Sequence, residues 1–241
     1  MIDTHSHILP GLDDGAMMPS MALDMARMAA ADGITRMIAT PHWPTSGVRH
    51  NPEQIAERVA TLQQAIDEAG IQLKLFPGAE LALTPAVLQV PEAELPTLAG
   101  TRYVLVEILP YSDWTLCKQI MFELQVRGHK VVLAHAERAT PLVEEPERAE
   151  LLVGGGTLLQ VTVGGLMGQI SSSAKGLGRR LVKAGLATIL ATDAHDLRKS
   201  PPKLTPARKL VTKLGGKTAF EKLTVNGPST ILQAVVDASR Q

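Results

Sequence analysis

The feature that most constrains this chain is a repeated change of hydrophobic period. Short β-branched runs recur at residues 34–40, 73–76, 103–108, 130–134, 157–163 and 187–191. With residues 1–4 they make roughly seven strands, each too apolar to leave one face in water. Between them lie stretches with helical spacing, at residues 20–32, 52–69, 116–127, 146–152 and 174–184. Start and stop signals bracket several of these: Pro19-Ser20 and Asn51-Pro52 before two, and Gly33, Gly70, Gly128 and Gly185 just past helix ends. Strand and helix alternating at about thirty residues mark βα units and a parallel sheet. Seven units predict a closed or nearly closed α/β barrel rather than an open sheet. The tail from Pro201 carries two more helical stretches and no strand, and is expected to pack outside the barrel.

The chain length of 241 residues fits one domain spanning 1–241. At 45% hydrophobic and 20% charged residues it buries a sizeable core. Lys+Arg and Asp+Glu both number 24, which argues against nucleic acid or an anionic membrane as a bulk electrostatic partner. Aromatic residues, at 3%, are too few for base-stacking platforms. The single cysteine, Cys117, excludes a disulfide framework and a multi-cysteine metal site. It also fails as a phosphatase nucleophile, because Glu123 stands where a Cys-x5-Arg loop needs arginine. In a helical stretch it reads as a buried structural thiol. No signal peptide or apolar span is visible, so a soluble cytoplasmic protein is expected.

The chemistry is marked by where metal-capable side chains fall. His5 and His7 follow the first strand, His42 the second, and Glu80 the third. Glu107 ends the fourth, His135 follows the fifth, and Asp193 and His195 follow the seventh. In a parallel barrel all these ends share one face, where barrel active sites are built. Alternate residues of an extended segment point the same way, so His-x-His and Asp-x-His can each turn two donors on one ion. One such residue would read as an ordinary rim group; the conjunction reads as a metal site. Imidazoles and carboxylates without thiolate suit manganese, iron or zinc. The donors exceed the needs of one ion, so two or more ions are expected, with a carboxylate such as Glu80 able to bridge them. Ions about 4 Å apart activate water and hold both oxygens of a displacement, which points to hydrolysis of a phosphate ester.

Other features read either way. Asp13-Asp14-Gly15 is a turn sequence, but on this face one of the two aspartates can be a ligand. Arg138 is either a surface ion-pair partner of Glu137 or a bidentate phosphate grip. The methionine stripe Met21, Met25 and Met28 reads as core. His50 and His129 read as loop and surface residues. Residues 43–51 form a loop at the active face. Gly154-Gly155-Gly156 reads as a tight turn, since no phosphate-loop lysine follows.

Taken together, Asp3-Thr4-His5-Ser6-His7, Thr40-Pro41-His42, His135-Ala136-Glu137-Arg138 and Asp193-Ala194-His195 resemble the polymerase and histidinol phosphatase (PHP) superfamily. The opening from His5 to Gly15, with Gly78-Ala79-Glu80, is similar to the CpsB/YwqE-type manganese-dependent tyrosine-protein phosphatases of capsule and exopolysaccharide loci. That resemblance implies a distorted TIM-like (β/α)7 barrel holding three manganese ions. His5, His7, Glu80, Glu107, His135 and Asp193 would hold two ions; Asp14, His42 and His195 would hold the third. Arg138 would bind phosphate, and His42 or His195 would assist the leaving group. The implied substrate is a phosphotyrosine protein, namely a bacterial tyrosine kinase. The chain departs from the pattern at Ala136, commonly proline, and Ala139, commonly aromatic, which bears on substrate packing rather than on metal binding. Four alternatives stand beside this one. They are a histidinol-phosphate-type small-molecule phosphatase, an amidohydrolase, disfavoured by Glu107 in place of a bridging lysine, a polymerase-associated nuclease of the PHP type, disfavoured by the neutral charge, and a non-catalytic regulator braced by metal.

Overall fold

The structure, a computed structural model, describes residues 1–44 and 50–238, with side chains through residue 233. The middle of the loop expected at 43–51 therefore lies outside the described residues. Strand β1 (Ile2–Asp3) is followed by helix α1 (Pro19–Ala31), strands β2 (Arg36–Ala39) and β3 (His42–Trp43), and helix α2 (Pro52–Glu68). Next come β4 (Lys74–Pro77), β5 (Glu80–Ala82), β6 (Tyr103–Glu107), α3 (Trp114–Val126) and β7 (Lys130–Leu133). Two short helices, α4 (Thr140–Glu144) and α5 (Arg148–Gly154), lead to β8 (Leu158–Thr162), α6 (Val163–Met167), α7 (Ser172–Lys183) and β9 (Ala187–Ala191). The chain ends in α8 (Arg208–Gly215), α9 (Ala219–Glu221) and α10 (Gly227–Ala238).

All strand pairs are parallel. One sheet runs β1-β2-β4 and the other β3-β5-β6-β7-β8-β9. The two are halves of one ring, because β2 and β3 are a single strand interrupted at Thr40-Pro41, and β4 and β5 a single strand interrupted at Gly78-Ala79. A parallel bridge between Ser6 and Ala194 closes the seam. His7 N donates to Ala194 O at 2.8 Å, and Asp193 N to His5 O at 3.0 Å. Counting each interrupted strand once gives the seven-stranded α/β barrel expected from the periodicity. The interruptions were not visible in the hydrophobic pattern; they fall where proline removes a ladder donor and glycine weakens pairing.

Strand alternation builds two cores. Met37, Ala39, Val104, Val106, Val131, Leu133, Leu159 and Val161 face outward into the helix layer. Ile2, Ile38, Leu105, Val132, Ala134 and Ile189 face inward and fill the barrel. The tail does not simply lie outside. Ile231 and Leu232 of α10 are buried in that interior cluster, so this helix plugs one end of the barrel. Helix α2 begins with a complete capping box, in which Asn51 and Gln54 exchange side-chain and backbone hydrogen bonds. On α1 the buried face is Ala22, Met25, Ala26 and Ala29, with Met21 and Met28 at its half-buried edges. The methionine stripe is thus core only at Met25. His129 is not a surface residue: it is buried, with Nε2 2.9 Å from Glu92.

Candidate metal centre

Every strand of the ring except β8 delivers a donor to the carboxyl face. Glu80, the first residue of β5, stands at the middle. Its Oε1 accepts from His135 Nε2 at 2.7 Å. Its Oε2 is buried without a directed hydrogen bond. Around that oxygen lie His42 Nδ1 at 3.1 Å, His5 Nε2 at 3.3 Å and His7 Nε2 at 3.6 Å. Asp193 Oδ1 lies 3.3 Å from His5 Nε2 and 3.4 Å from His7 Nε2. Asp14 Oδ1 lies 3.5 Å from His42 Nε2 and 3.4 Å from His195 Nε2. Glu107 reaches the same centre, 3.7 Å from His42 Nδ1 and 3.9 Å from His135 Nε2. Most of these separations are too long for good hydrogen bonds. They are close to what cations require, since donors roughly 2.1 Å from one ion stand about 3 to 3.4 Å apart. An orphaned buried carboxylate oxygen ringed by imidazole nitrogens fits a metal. Three groups converge within 4.8 Å: His7, Asp14, His42 and His195; His5, His7 and Asp193; and His42, Glu80 and Glu107. All nine residues singled out as ligands are therefore brought together, and Arg138 joins them by donating from Nη1 to Asp193 Oδ2 at 2.8 Å.

The surrounding bonds orient the rings. His7 Nδ1 faces Asp13 Oδ2 at 2.7 Å, His5 Nδ1 faces Gln160 Oε1 at 2.8 Å, and His195 Nδ1 faces the Asp193 carbonyl at 2.9 Å. In each case Nδ1 is engaged and Nε2 is turned to the centre. This resolves the two aspartates of the turn: Asp13 orients His7, while Asp14 meets His42 and His195. Gly15 is required there, because a Cβ would stand 2.0 Å from the His7 carbonyl oxygen. His135 and Asp193 both have left-handed backbones, with φ of 30° and 53°, as the chain turns sharply off the strand ends.

The charges are mutually arranged. Burial pushes His5 and His7 toward the neutral form, but the carboxylates of Glu80, Asp193 and Asp13 outweigh it. They hold His5 up at about 9 and His7 at about 10. Burial pushes Asp193 and Glu80 up, and the imidazoles outweigh that, holding both well below the usual carboxylate range. Glu107 is raised, by burial and then by Glu80. Protons thus sit among these acids where cations fit.

Three contributors escaped the sequence reading. Gln160 is one. Asp3 is another: fully buried, it accepts from Thr192 N at 3.0 Å and Thr192 Oγ1 at 2.5 Å, tying the first strand to the last. Burial, only partly offset by those bonds, raises Asp3 to about 6. Glu137 is the third, and it is not a surface partner of Arg138. It is fully buried and accepts from Thr162 N at 3.0 Å and Thr162 Oγ1 at 2.6 Å. A Cβ at Gly165 would stand 2.1 Å from that oxygen, so the glycine makes room for the anchor of the turn carrying Arg138. Gln160 and Glu137 did leave a sequence signal: Gln160 is a lone polar residue in an apolar strand, and Glu137 lies between two site residues. Cys117 is buried in α3, away from the centre.

The capsular polysaccharide synthesis CpsB/CapC family profile matches residues 1–233. The chain belongs to the CpsB/CapC family. The tyrosine-protein phosphatase YwqE of Bacillus subtilis (strain 168) is 34% identical over 200 residues, 82% of this chain and 78% of that protein. The tyrosine-protein phosphatase CpsB of Streptococcus pneumoniae is 26% identical, covering 96% and 98%. A crystal structure from work on YwqE and CpsB, described as metal-dependent tyrosine phosphatases, superposes with a TM-score of 0.90 at 32% identity. It covers 97% of this chain and 95% of the other. As a CpsB/CapC member the chain has alanine at 136 and 139; both are buried in the outer core, so neither lines the centre. Among the described residues no helix is long and apolar enough to cross a membrane.

Proposed function

We propose that residues 1–241 form one metal-dependent phosphomonoesterase domain that hydrolyses phosphotyrosine in a protein. The partner would be a cytoplasmic bacterial tyrosine kinase segment in capsule or exopolysaccharide control. The single observation that carries this is the convergence of eight potential ligands, with His135 on Glu80 Oε1 as the ninth, around the orphaned Glu80 Oε2 and its neighbours, in a chain whose relatives bear tyrosine-phosphatase names. His5, His7, Glu80, Glu107, His135 and Asp193 would hold two ions, and Asp14, His42 and His195 a third. Manganese is the expected metal, with iron or zinc chemically compatible. Bound ions supply an activated water and Lewis acidity toward the phosphoryl oxygens.

The chain's own groups do the rest. Arg138, 40% exposed, already leans on Asp193, and its free guanidinium edge can take two phosphoryl oxygens side by side. Next to it a cavity of about 300 Å³, lined by Arg138, Thr140, Ile170, Ser171 and Ser173, leaves room for residues flanking a phosphotyrosine. Both histidines considered for proton delivery are also placed as ligands of the third ion; in the metal-free chain Glu80 raises His42, whereas burial and then His7 lower His195. The decisive test is freshly demetallated protein given manganese and a panel of phosphotyrosine peptide, phosphoserine peptide and histidinol phosphate. Selective turnover of phosphotyrosine, lost with chelator, is expected. Preference for histidinol phosphate would favour the small-molecule reading, and metal retention without any hydrolysis would leave a regulator.

A further inference from the structure

We infer that Gln160, held by Thr4, is a positioning residue that fixes His5 as the Nδ1–H tautomer and so delivers its Nε2 to the buried ion position. This rests on the metal-centre reading above. Gln160 is completely buried in the middle of β8, among Leu158, Leu159 and Val161. An amide there costs free energy unless both its ends are bonded. Both are: Nε2 donates to Thr4 Oγ1 at 3.0 Å and Oε1 faces His5 Nδ1 at 2.8 Å.

The two bonds are not independent. An amide can present either oxygen or nitrogen to an imidazole. Presenting nitrogen would require a lone pair on Nδ1, which puts the neutral ring's proton on Nε2. That is the atom 3.3 Å from both Glu80 Oε2 and Asp193 Oδ1, and 3.2 Å from His7 Nε2. A proton there would remove His5 from the donor set. With the amide N–H on the Thr4 hydroxyl, the oxygen is the atom that faces His5 Nδ1, and an oxygen there accepts only from the ligating tautomer. His7 achieves the same end with the Asp13 carboxylate, at 2.7 Å. The two rings of His5-Ser6-His7 therefore lean on partners of different charge, one neutral and one anionic. Gln160 orients a ring without adding a further negative charge to a pocket that already holds Glu80 and Asp193.

The experiment is manganese binding to Gln160→Leu, Gln160→Glu and wild type, followed by calorimetry and by counting bound ions. Gln160→Leu should weaken one ion of the set by about 10- to 100-fold and leave the others nearly unchanged. Gln160→Glu, which still accepts from Nδ1–H, should restore that affinity. Unchanged binding in Gln160→Leu, or an equal loss in Gln160→Glu, overturns the inference. A readout on wild type guards against a variant that fails to fold: nitrogen-15 histidine spectra of the protein loaded with diamagnetic zinc should show His5 with its proton on Nδ1. A proton on His5 Nε2 overturns the assignment. Wild type that binds no divalent ion at all would instead sink the metal-centre reading.

Discussion

The two ends of the barrel interior are built from the same seven strands and could hardly differ more. At the amino end Ile2, Ile38, Leu105, Val132 and Ile189 form one apolar cluster with Ile231 and Leu232 of α10. At the carboxyl end the positions are occupied by imidazoles and carboxylates at 3 to 4 Å, several of them held by the others in the charged form that burial opposes. Between them lies a thin polar layer, Asp3 with Thr192 and Gln160 with Thr4, in which every hydrogen bond is directed. One end supplies stability through area removed from water. The other draws on it, because a cluster of buried ionisable groups is costly until cations or protons neutralise it. Changes at the two ends should therefore separate cleanly into activity and stability.

The largest effect is expected from Asp193→Asn. Asparagine keeps the size of the side chain and tolerates the left-handed backbone at φ of 53°. It removes an anion from the centre and leaves one acceptor oxygen in place of two, so that the histidine-facing and Arg138-facing roles can no longer both be filled. Aryl phosphate turnover with manganese should fall by about 10³-fold, while secondary structure by circular dichroism stays the same. Turnover within a few fold of wild type would mean that Asp193 serves the fold and not the site.

The converse change is Ile189→Ala at the opposite end. Removing a fully buried interior side chain should cost about 2–5 kcal/mol in chemical denaturation. Manganese stoichiometry in the folded protein should not change. Loss of metal together with stability would show that the two ends are one cooperative unit and would blunt the contrast.

How much of this contrast can be read without a structure follows the same division. The strands are legible because each is a β-branched run, and the ligands because histidine and acid recur at the carboxyl end of every run but the one at 157–163. The orienting groups are not, because their meaning is positional. Asp13 and Asp14 are chemically identical neighbours, and only the turn over Gly15 sends one to His7 and the other to His42 and His195. The α10 plug is not legible either, since an amphipathic tail does not say which surface it will cover.

A smaller loss is expected for Arg138→Lys. An ammonium keeps the charge and gives up the planar fork, so kcat/KM for aryl phosphate should drop by about 10- to 100-fold with metal content unchanged. A drop in bound metal would place Arg138 in the scaffold through Asp193 rather than over the substrate.

Acidity tests the crowded carboxyl end in the metal-free protein. In the metal-free protein His5 and His7 are raised to about 9 and about 10 from an ordinary 6.5. Folding therefore gains stability from their protonation below 6.5, and that gain is lost as pH rises through those values. Asp3, raised to about 6, adds a loss in the same direction at lower pH, between about 4 and 6. The Tm of metal-free protein should fall from about pH 6.5 to pH 9, whereas below that the lowered carboxylates of Glu80 and Asp193 oppose Asp3. With manganese bound, the fall above pH 6.5 should flatten, since cations replace the protons. An identical slope with and without metal would mean that the imidazoles are not where the ions sit.

The smallest effect concerns a histidine at the wrong end. His129 begins the approach to β7 and is as buried as the site histidines, but it meets one carboxylate, that of Glu92, which is 64% exposed. A solvated ion pair of that kind contributes about 0 to 1 kcal/mol. Glu92→Gln should therefore move Tm by no more than a few degrees and leave manganese affinity where it was. Burial of an imidazole beside an acid is common to both ends; what the carboxyl end adds is several acids and several rings sharing the same few ångströms, so that no single pairing satisfies any of them. If Glu92→Gln lowered metal affinity, that distinction between a paired histidine and a crowded one would fail, and the amino end would have to be counted as part of the site.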